Sequence, residues 1–261
     1  MTTTLAPQDA LDAASSHLAL TKPHADLAKW LGSRGPDKAI AAMMVSAASK
    51  KPQKVGKRLS KPLAGLFGTP KVVKWDKTEK FVYGAAFTAG DEAEVLKSTP
   101  EVADTALFQT DLYLRTRDEH TEINAVTVAA ITKTALAQAV EHRAIDEPDD
   151  ITTLARQALT QARIFSTGLE GAKITAETPK SFLVPFGDDA LDVENYAIDR
   201  NENGEAKTGQ ILSVRSFRTK ESLDAADRER LDGLAHAMTK AGHPGAEAFA
   251  QMVSDNARGR G

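Results

Sequence analysis

Read for the spacing of its apolar and polar positions, the chain opens with helices. Over residues 8–48 apolar side chains return every three to four positions, the period of an amphipathic helix. Leu11, Ala14, His17 and Leu18 share one face. A second helix is expected from near Thr21, a suitable N-cap, with Pro23 in the first turn, where its missing N–H costs nothing. It should bury Leu27, Trp30 and Leu31 and stop at Gly32. A third runs from about Pro36, with Asp37 in its first turn, and presents Ile40, Met43, Met44 and Ala47 on one side.

The rhythm then breaks. Residues 49–70 carry Pro52, Gly56, Pro62, Gly65, Gly68 and Pro70, so the stretch reads as a linker or a short, interrupted helix. Beyond it the pattern turns to alternation, the mark of strands. Lys71–Trp75, Phe81–Phe87 and Ala106–Thr116 are the first three, with a short helix over Asp91–Lys97 between the last two. In the third, Phe108, Thr110, Leu112 and Leu114 share one parity, as in a half-buried strand. Ile123–Ile131 is rich in β-branched residues and fits a strand, although a helix is not excluded, while Thr132–Arg143 is the better helix.

Asp149–Phe165 has the clearest helical period of the chain. Ile151, Leu154, Ala155, Ala158, Leu159, Ala162 and Phe165 form its apolar stripe, Asp149 or Asp150 its cap and Gly168 its stop. Ser181–Phe186, Leu191–Ile198 and Gln210–Arg218 read as strands, the last two as a hairpin. A helix over Ser222–Ala241 should bury Leu223, Ala226, Leu231, Leu234 and Met238 before Gly242 and Pro244 end it. A short helix then presents Phe249, Met252 and Val253. The expected fold class is α+β. It comprises a helical segment (1–48), a basic Pro/Gly-containing linker (49–70), an α+β domain (71–254) with a mainly antiparallel sheet and packed helices, and a disordered tail (255–261).

Composition narrows the function classes. With 261 residues, 41% of them apolar and 26% charged, the chain can bury a sizeable core. It has no cysteine, which excludes disulfides, thiolate nucleophiles and Cys-ligated zinc or iron–sulfur clusters. The first residues show neither a basic nor an apolar signal-peptide region, and no apolar run reaches the roughly 18 residues of a membrane span. A cytoplasmic location is therefore expected.

Charge changes the picture most. Between Asp37 and Asp76 there is no acidic residue, against nine basic ones. The whole chain carries −3, so the remainder sums to −12 once those nine positive charges are set aside. Val55, Leu59, Leu63 and Leu66 or Phe67 recur every three to four positions there, with Lys54, Lys57, Arg58 and Lys61 between them. As a helix this is basic on one side and apolar on the other. As an extended arm it would track phosphates. Pro62 opposes a continuous helix by about 3 kcal/mol. The plain alternative is a solvated linker whose leucines dock on the protein's own core. The expected partner-binding residues are Lys50, Lys51, Lys54, Lys57, Arg58 and Lys61, and the expected partner is anionic, nucleic acid first, then an acidic protein or a membrane surface.

Other candidate chemistry is thinner. Asp199-Arg-Asn201-Glu-Asn203-Gly204 matches the opening of a calcium loop, but its ninth and twelfth positions are Lys207 and Gln210, and an Asn-Gly hairpin turn accounts for the same residues. Asp188, Asp189 and Asp192, with Glu205 and Lys207, form a nuclease-like set. The six histidines (His17, His24, His120, His142, His236 and His243) make no paired metal motif. No metal, cofactor or catalytic residue is assigned. The leading expectation is a non-enzymatic binding protein with a basic arm. The alternatives are a metal-dependent phosphoester hydrolase, and a structural or assembly subunit of a homo-oligomer or a mobile-element complex.

Overall fold

A computed structural model describes residues 24–46, 52–63, 65–67, 70–89, 105–117, 120–143, 145, 147–171, 181–187, 189–202, 205–229, 231 and 233. Its helices are α1 (His24–Leu31), α2 (Gly35–Ser46), α3 (Pro52–Ser60), α4 (Lys133–His142) and α5 (Pro148–Gly171). Its strands are β1 (Lys71–Trp75), β2 (Glu79–Ala89), β3 (Thr105–Arg117), β4 (His120–Thr132), β5 (Ser181–Phe186), β6 (Asp189–Glu202) and β7 (Glu205–Arg218). The strands are hydrogen-bonded in the order β1-β2-β3-β4-β7-β6-β5, antiparallel in every pair described except β4 with β7. The class is α+β. The chain divides into two compact units, one of Ala19–Asp91 with Leu107–Val128, the other of Met1–Leu18, Glu92–Ala106 and Ala129–Gly261.

In the first of these units, α1–α3 lie on one face of the β1–β4 strands. Their shared core joins Leu27, Trp30, Ala39 and Met43 to Val55, Leu59, Leu63 and Phe67, and these to Val82, Ala86, Leu112 and Leu114. Helix α3 lies inside the stretch expected to be a linker. Pro52 opens it, where the absent N–H is harmless, and Pro62 falls after its last residue, Ser60, so neither breaks it. Past Ser60 the chain turns through Leu63 N–H to Leu59 O (3.1 Å) and Gly65 N–H to Ser60 O (3.3 Å). Gly65 has φ +67°, a conformation glycine adopts without strain. Val55, Leu59 and Leu63 have no exposed surface and Phe67 is 2% exposed, so this is a docked helix and turn rather than an extended arm. Gly84 makes room for it: a Cβ there would stand 3.2 Å from Phe67 Cβ.

Two helical faces are rotated from expectation. In α1, Leu27 and Trp30 are buried but Leu31 is exposed; in α2 the buried stripe is Gly35, Ala39, Met43 and Ser46, leaving Met44 and Val45 in solvent. Hydrophobic content alone does not fix the contact face of an alanine-rich helix, because small residues can supply it. Strand β3 is buried on both faces over 105–112, including Gln109, Thr110 and Asp111, rather than on one. The segment Ile123–Ile131 is strand, within β4.

In the other unit, Thr132 ends β4 and caps α4: its Oγ1 accepts from Ala135 N–H at 3.1 Å. Helix α5 buries the whole predicted stripe from Ile151 to Phe165. It starts one residue early, with Glu147 O accepting from Asp150 N–H and Ile151 N–H, so Asp149 and Asp150 lie in the first turn rather than at the cap. It runs past Gly168 to Gly171, since a single helical glycine costs only about 1 kcal/mol. Strands β6 and β7 pair as far as Glu202↔Glu205, beyond the limits their apolar residues suggested. Pro185 sits in β5, last in the strand order, where a missing donor is tolerated. After β7 a 3-10 turn spans Lys220–Ser222, and α-helix resumes from 225, with Asp224 Oδ1 accepting Asp227 N–H. There Asp227 is buried against Arg218 (2.9 Å), whereas Ala226 is exposed. The expected elements at 8–18, Asp91–Lys97, 234–241 and beyond lie outside the described residues.

Two measurements check this packing. Leu59→Ala should cost about 2–5 kcal/mol in urea unfolding, the range for a fully buried leucine, whereas a solvated linker would show almost no change. The β1–β2 turn carries a pH signature. Asp76 Oδ1 accepts from the Thr78 hydroxyl (2.7 Å), Thr78 N–H (2.8 Å) and Glu79 N–H (2.8 Å). The Thr78 hydroxyl, then the Glu79 N–H, hold its pKa down from 3.8 to about 2. A depressed carboxylate stabilises above its unfolded pKa, so the turn's contribution should be complete above pH 4 and fade between about 4 and 2. An NMR titration of Asp76 with a midpoint near 4 would contradict it.

Candidate anion-binding surface

The sequence of α3 sets its orientation. Positions 55 and 59 are one turn apart and, with 63 and 67 beyond, face the sheet; positions 54, 57, 58 and 61 therefore face water. Lys54, Lys57, Arg58 and Lys61 are all exposed, and none makes an ion pair among the described residues. The structure thus brings four of the six predicted partner-binding residues onto one docked surface. Lys50 and Lys51 lie outside the described residues.

Beside the end of α3 lies a cavity of about 420 Å³, lined by Trp30, Ser33, Arg34, Gly35, Lys38, Lys61 and Pro62. Three stretches build it: the last turn of α1, the 32–34 turn together with the start of α2, and the residues after α3. The Trp30 indole N–H donates to Pro62 O at 3.0 Å and its ring meets Phe67 edge-on at 5.5 Å. The Ser33 hydroxyl donates to Trp30 O (2.7 Å) and accepts Gly35 N–H (2.9 Å). These wall groups satisfy one another. The charges remaining at the cavity are the Arg34, Lys38 and Lys61 cations, with no acidic residue in the lining; Asp37, in the first turn of α2, is exposed and outside it. Arg34 and Lys38 are one turn apart, with Lys38 N–H donating to Arg34 O.

Sequence reasoning missed Arg34 as a site residue, because Asp37 interrupts the basic run before it. It also missed the cavity, which depends on Trp30 reaching Pro62 across 32 positions. A second omission is Asp111, 1% exposed, which accepts from the Tyr83 hydroxyl (2.9 Å), Gln109 Nε2 (2.9 Å) and the Tyr113 hydroxyl (3.0 Å). A Gln-Thr-Asp run within an apolar strand was its only trace. Three donors satisfy this buried carboxylate.

The other candidates take structural places. Asp189 is engaged on both oxygens: Oδ2 by Arg143 Nη2 (3.2 Å), Oδ1 by Lys220 N–H (3.1 Å), with His142 Nε2 3.7 Å away. The Arg143 guanidinium also covers the Phe186 ring at 4.5 Å and donates to Phe186 O, locking the end of α4 to the β5–β6 turn. Asp192 faces Ser181 and Ser216 hydroxyls, not a second carboxylate. Asp188 and the side chains of Glu205 and Lys207 lie outside the described set. Residues 199–202 are extended and paired with 205–208, unlike a loop wrapped around calcium. His120 begins β4 and is exposed. Among the described residues no group of three or more His, Asp or Glu is placed to hold a metal ion. Searches of family models, curated proteins and solved structures return no match to this chain.

Gly35 tests the cavity's construction. It is buried, and a Cβ there would stand 2.6 Å from Trp30 Cδ1 and overlap Nε1. The indole is 6% exposed and cannot simply swing away. Gly35→Ala should therefore cost about 1–3 kcal/mol, as overpacking does, and shift Trp30 emission as its bond to Pro62 is lost. An unchanged melting curve and spectrum would mean the glycine is not holding the indole.

Proposed function

We propose that this protein is a non-enzymatic binding protein that engages nucleic acid through the basic face of α3, with Lys54, Lys57, Arg58 and Lys61 as phosphate contacts and Lys50 and Lys51 extending them. The observation that carries this reading is the pairing of a buried apolar ridge with four solvent-facing cations that make no ion pair among the described residues. A charge-depleted core would be enough for folding; four unpaired cations on one face add self-repulsion and nothing to packing. They raise the local potential for a polyanion. A membrane surface is the weaker reading, because an interfacial helix inserts its apolar side, and here Leu59 and Leu63 are wholly buried. Among the described residues no helix is long and apolar enough to cross a membrane.

Salt dependence tests it. Six phosphate contacts on duplex DNA should give a log K against log salt slope of about −5, and replacing Lys54, Lys57 and Arg58 by Ala should flatten it by about 3 on every sequence alike. Those side chains are exposed, so the triple variant should melt normally. A flat salt response, or binding that ignores the triple substitution, would end this reading. A doubled solution mass that the triple variant abolishes would instead favour self-association with the acidic remainder of a second copy.

A further inference from the structure

The cavity at the end of α3 has a property that a phosphate-tracking helix does not need. Internal phosphodiesters carry one negative charge and are met by single cations along a surface. Here three cations, Arg34, Lys38 and Lys61, line one recess without an acid among them. Its volume of about 420 Å³ lies in the roughly 300–1,000 Å³ range of small-molecule sites, larger than a bare phosphate requires. Apolar surface is supplied by Trp30, Gly35 and Pro62, whose own polar groups are already paired. Lys61, the first residue past α3, belongs both to this recess and to the exposed basic face that Lys54, Lys57 and Arg58 form on α3.

We propose that the cavity binds a nucleotide through a phosphomonoester, the base and sugar filling the apolar part and the phosphate lying among Arg34, Lys38 and Lys61. A phosphomonoester carries about −1.5 to −2 at neutral pH, so a three-cation recess favours it over the diester of a continuous strand. Such a group occurs at the phosphorylated end of a strand and on a free mononucleotide. The strand-end form rests on the reading that α3 engages nucleic acid; the site itself does not.

The test uses the full chain with Trp75→Phe, leaving Trp30 as the one tryptophan and a reporter in the cavity wall. The probes are a single-stranded oligonucleotide with a 5′-phosphate, with a 3′-phosphate and with neither, and adenosine monophosphate against adenosine. A phosphorylated strand should bind about tenfold more tightly than the unphosphorylated one, as one added charge-assisted contact provides, and should change Trp30 emission. Arg34→Ala with Lys38→Ala should erase that preference while leaving the unphosphorylated strand's affinity unchanged. Both residues are exposed and unpaired among the described residues, so the double variant should keep the parent melting temperature. If only adenosine monophosphate binds, and adenosine does not, the cavity is a free-nucleotide site and the nucleic-acid reading of α3 falls. Equal affinity for all three strands with no binding of the mononucleotide would overturn the cavity site and leave the α3 reading standing. A terminal-phosphate preference that survives the double substitution would also overturn it.

Discussion

The seating of Val55, Leu59, Leu63 and Phe67 on the β2–β3 face is the constraint on which the rest of this unit depends. Each of those side chains contributes about 1.5–3 kcal/mol by leaving water, more than the local preference of a nine-residue helix with a buried glycine could supply. Short helices are marginal by themselves and are held by an apolar face. Docking therefore makes α3 a helix and, in the same step, decides where its charges go. With one side committed to the sheet, Lys54, Lys57 and Arg58 have only solvent to face. The basic surface is a geometric consequence of the core.

Acidic groups show the opposite economy. Glu79 bridges Lys74 and Arg115, and its pKa is held down first by Lys74 and then by Arg115. Asp76 is spent on a turn, Asp189 on Arg143 and the Lys220 N–H, and Asp227 on Arg218. Carboxylates that are half-buried or placed in turns need donors, and each of these has them. The cations around α3 have no such structural employment among the described residues. A charge distribution in which these acids are consumed internally and these bases are not leaves a positive field on one side of one unit.

What was legible in the sequence followed from periodicity with large residues. The stripe of α5 is written in Leu, Ile and Phe at helical spacing, and it survives unchanged in the structure. The faces of α1 and α2 were not, because Gly35, Ala39 and Ser46 supply contact through smallness, which a hydrophobic count scores as neutral. The basic residues of the candidate site were visible as a run. Their arrangement was not, since the same run fits an arm, a linker or a docked helix, and only long-range contacts decide. The cavity was illegible altogether: its walls come from three elements, and the interaction that closes it spans Trp30 and Pro62.

Pro62 shows why a local rule misled. Inside a helix it would remove a hydrogen bond and clash, which argued against any helix through 54–66. The helix stops two residues short of it. Leu63 and Phe67 reach the core from the turn that follows rather than from a longer helix. The proline's carbonyl, which has no strand or helix partner to satisfy it there, accepts the Trp30 indole N–H. That bond ties α1 to the end of α3 and closes the recess in which Lys61 meets Arg34 and Lys38. A breaker read in isolation marks an ending. In the fold, the ending sets free the carbonyl that brings three separate cations around one cavity.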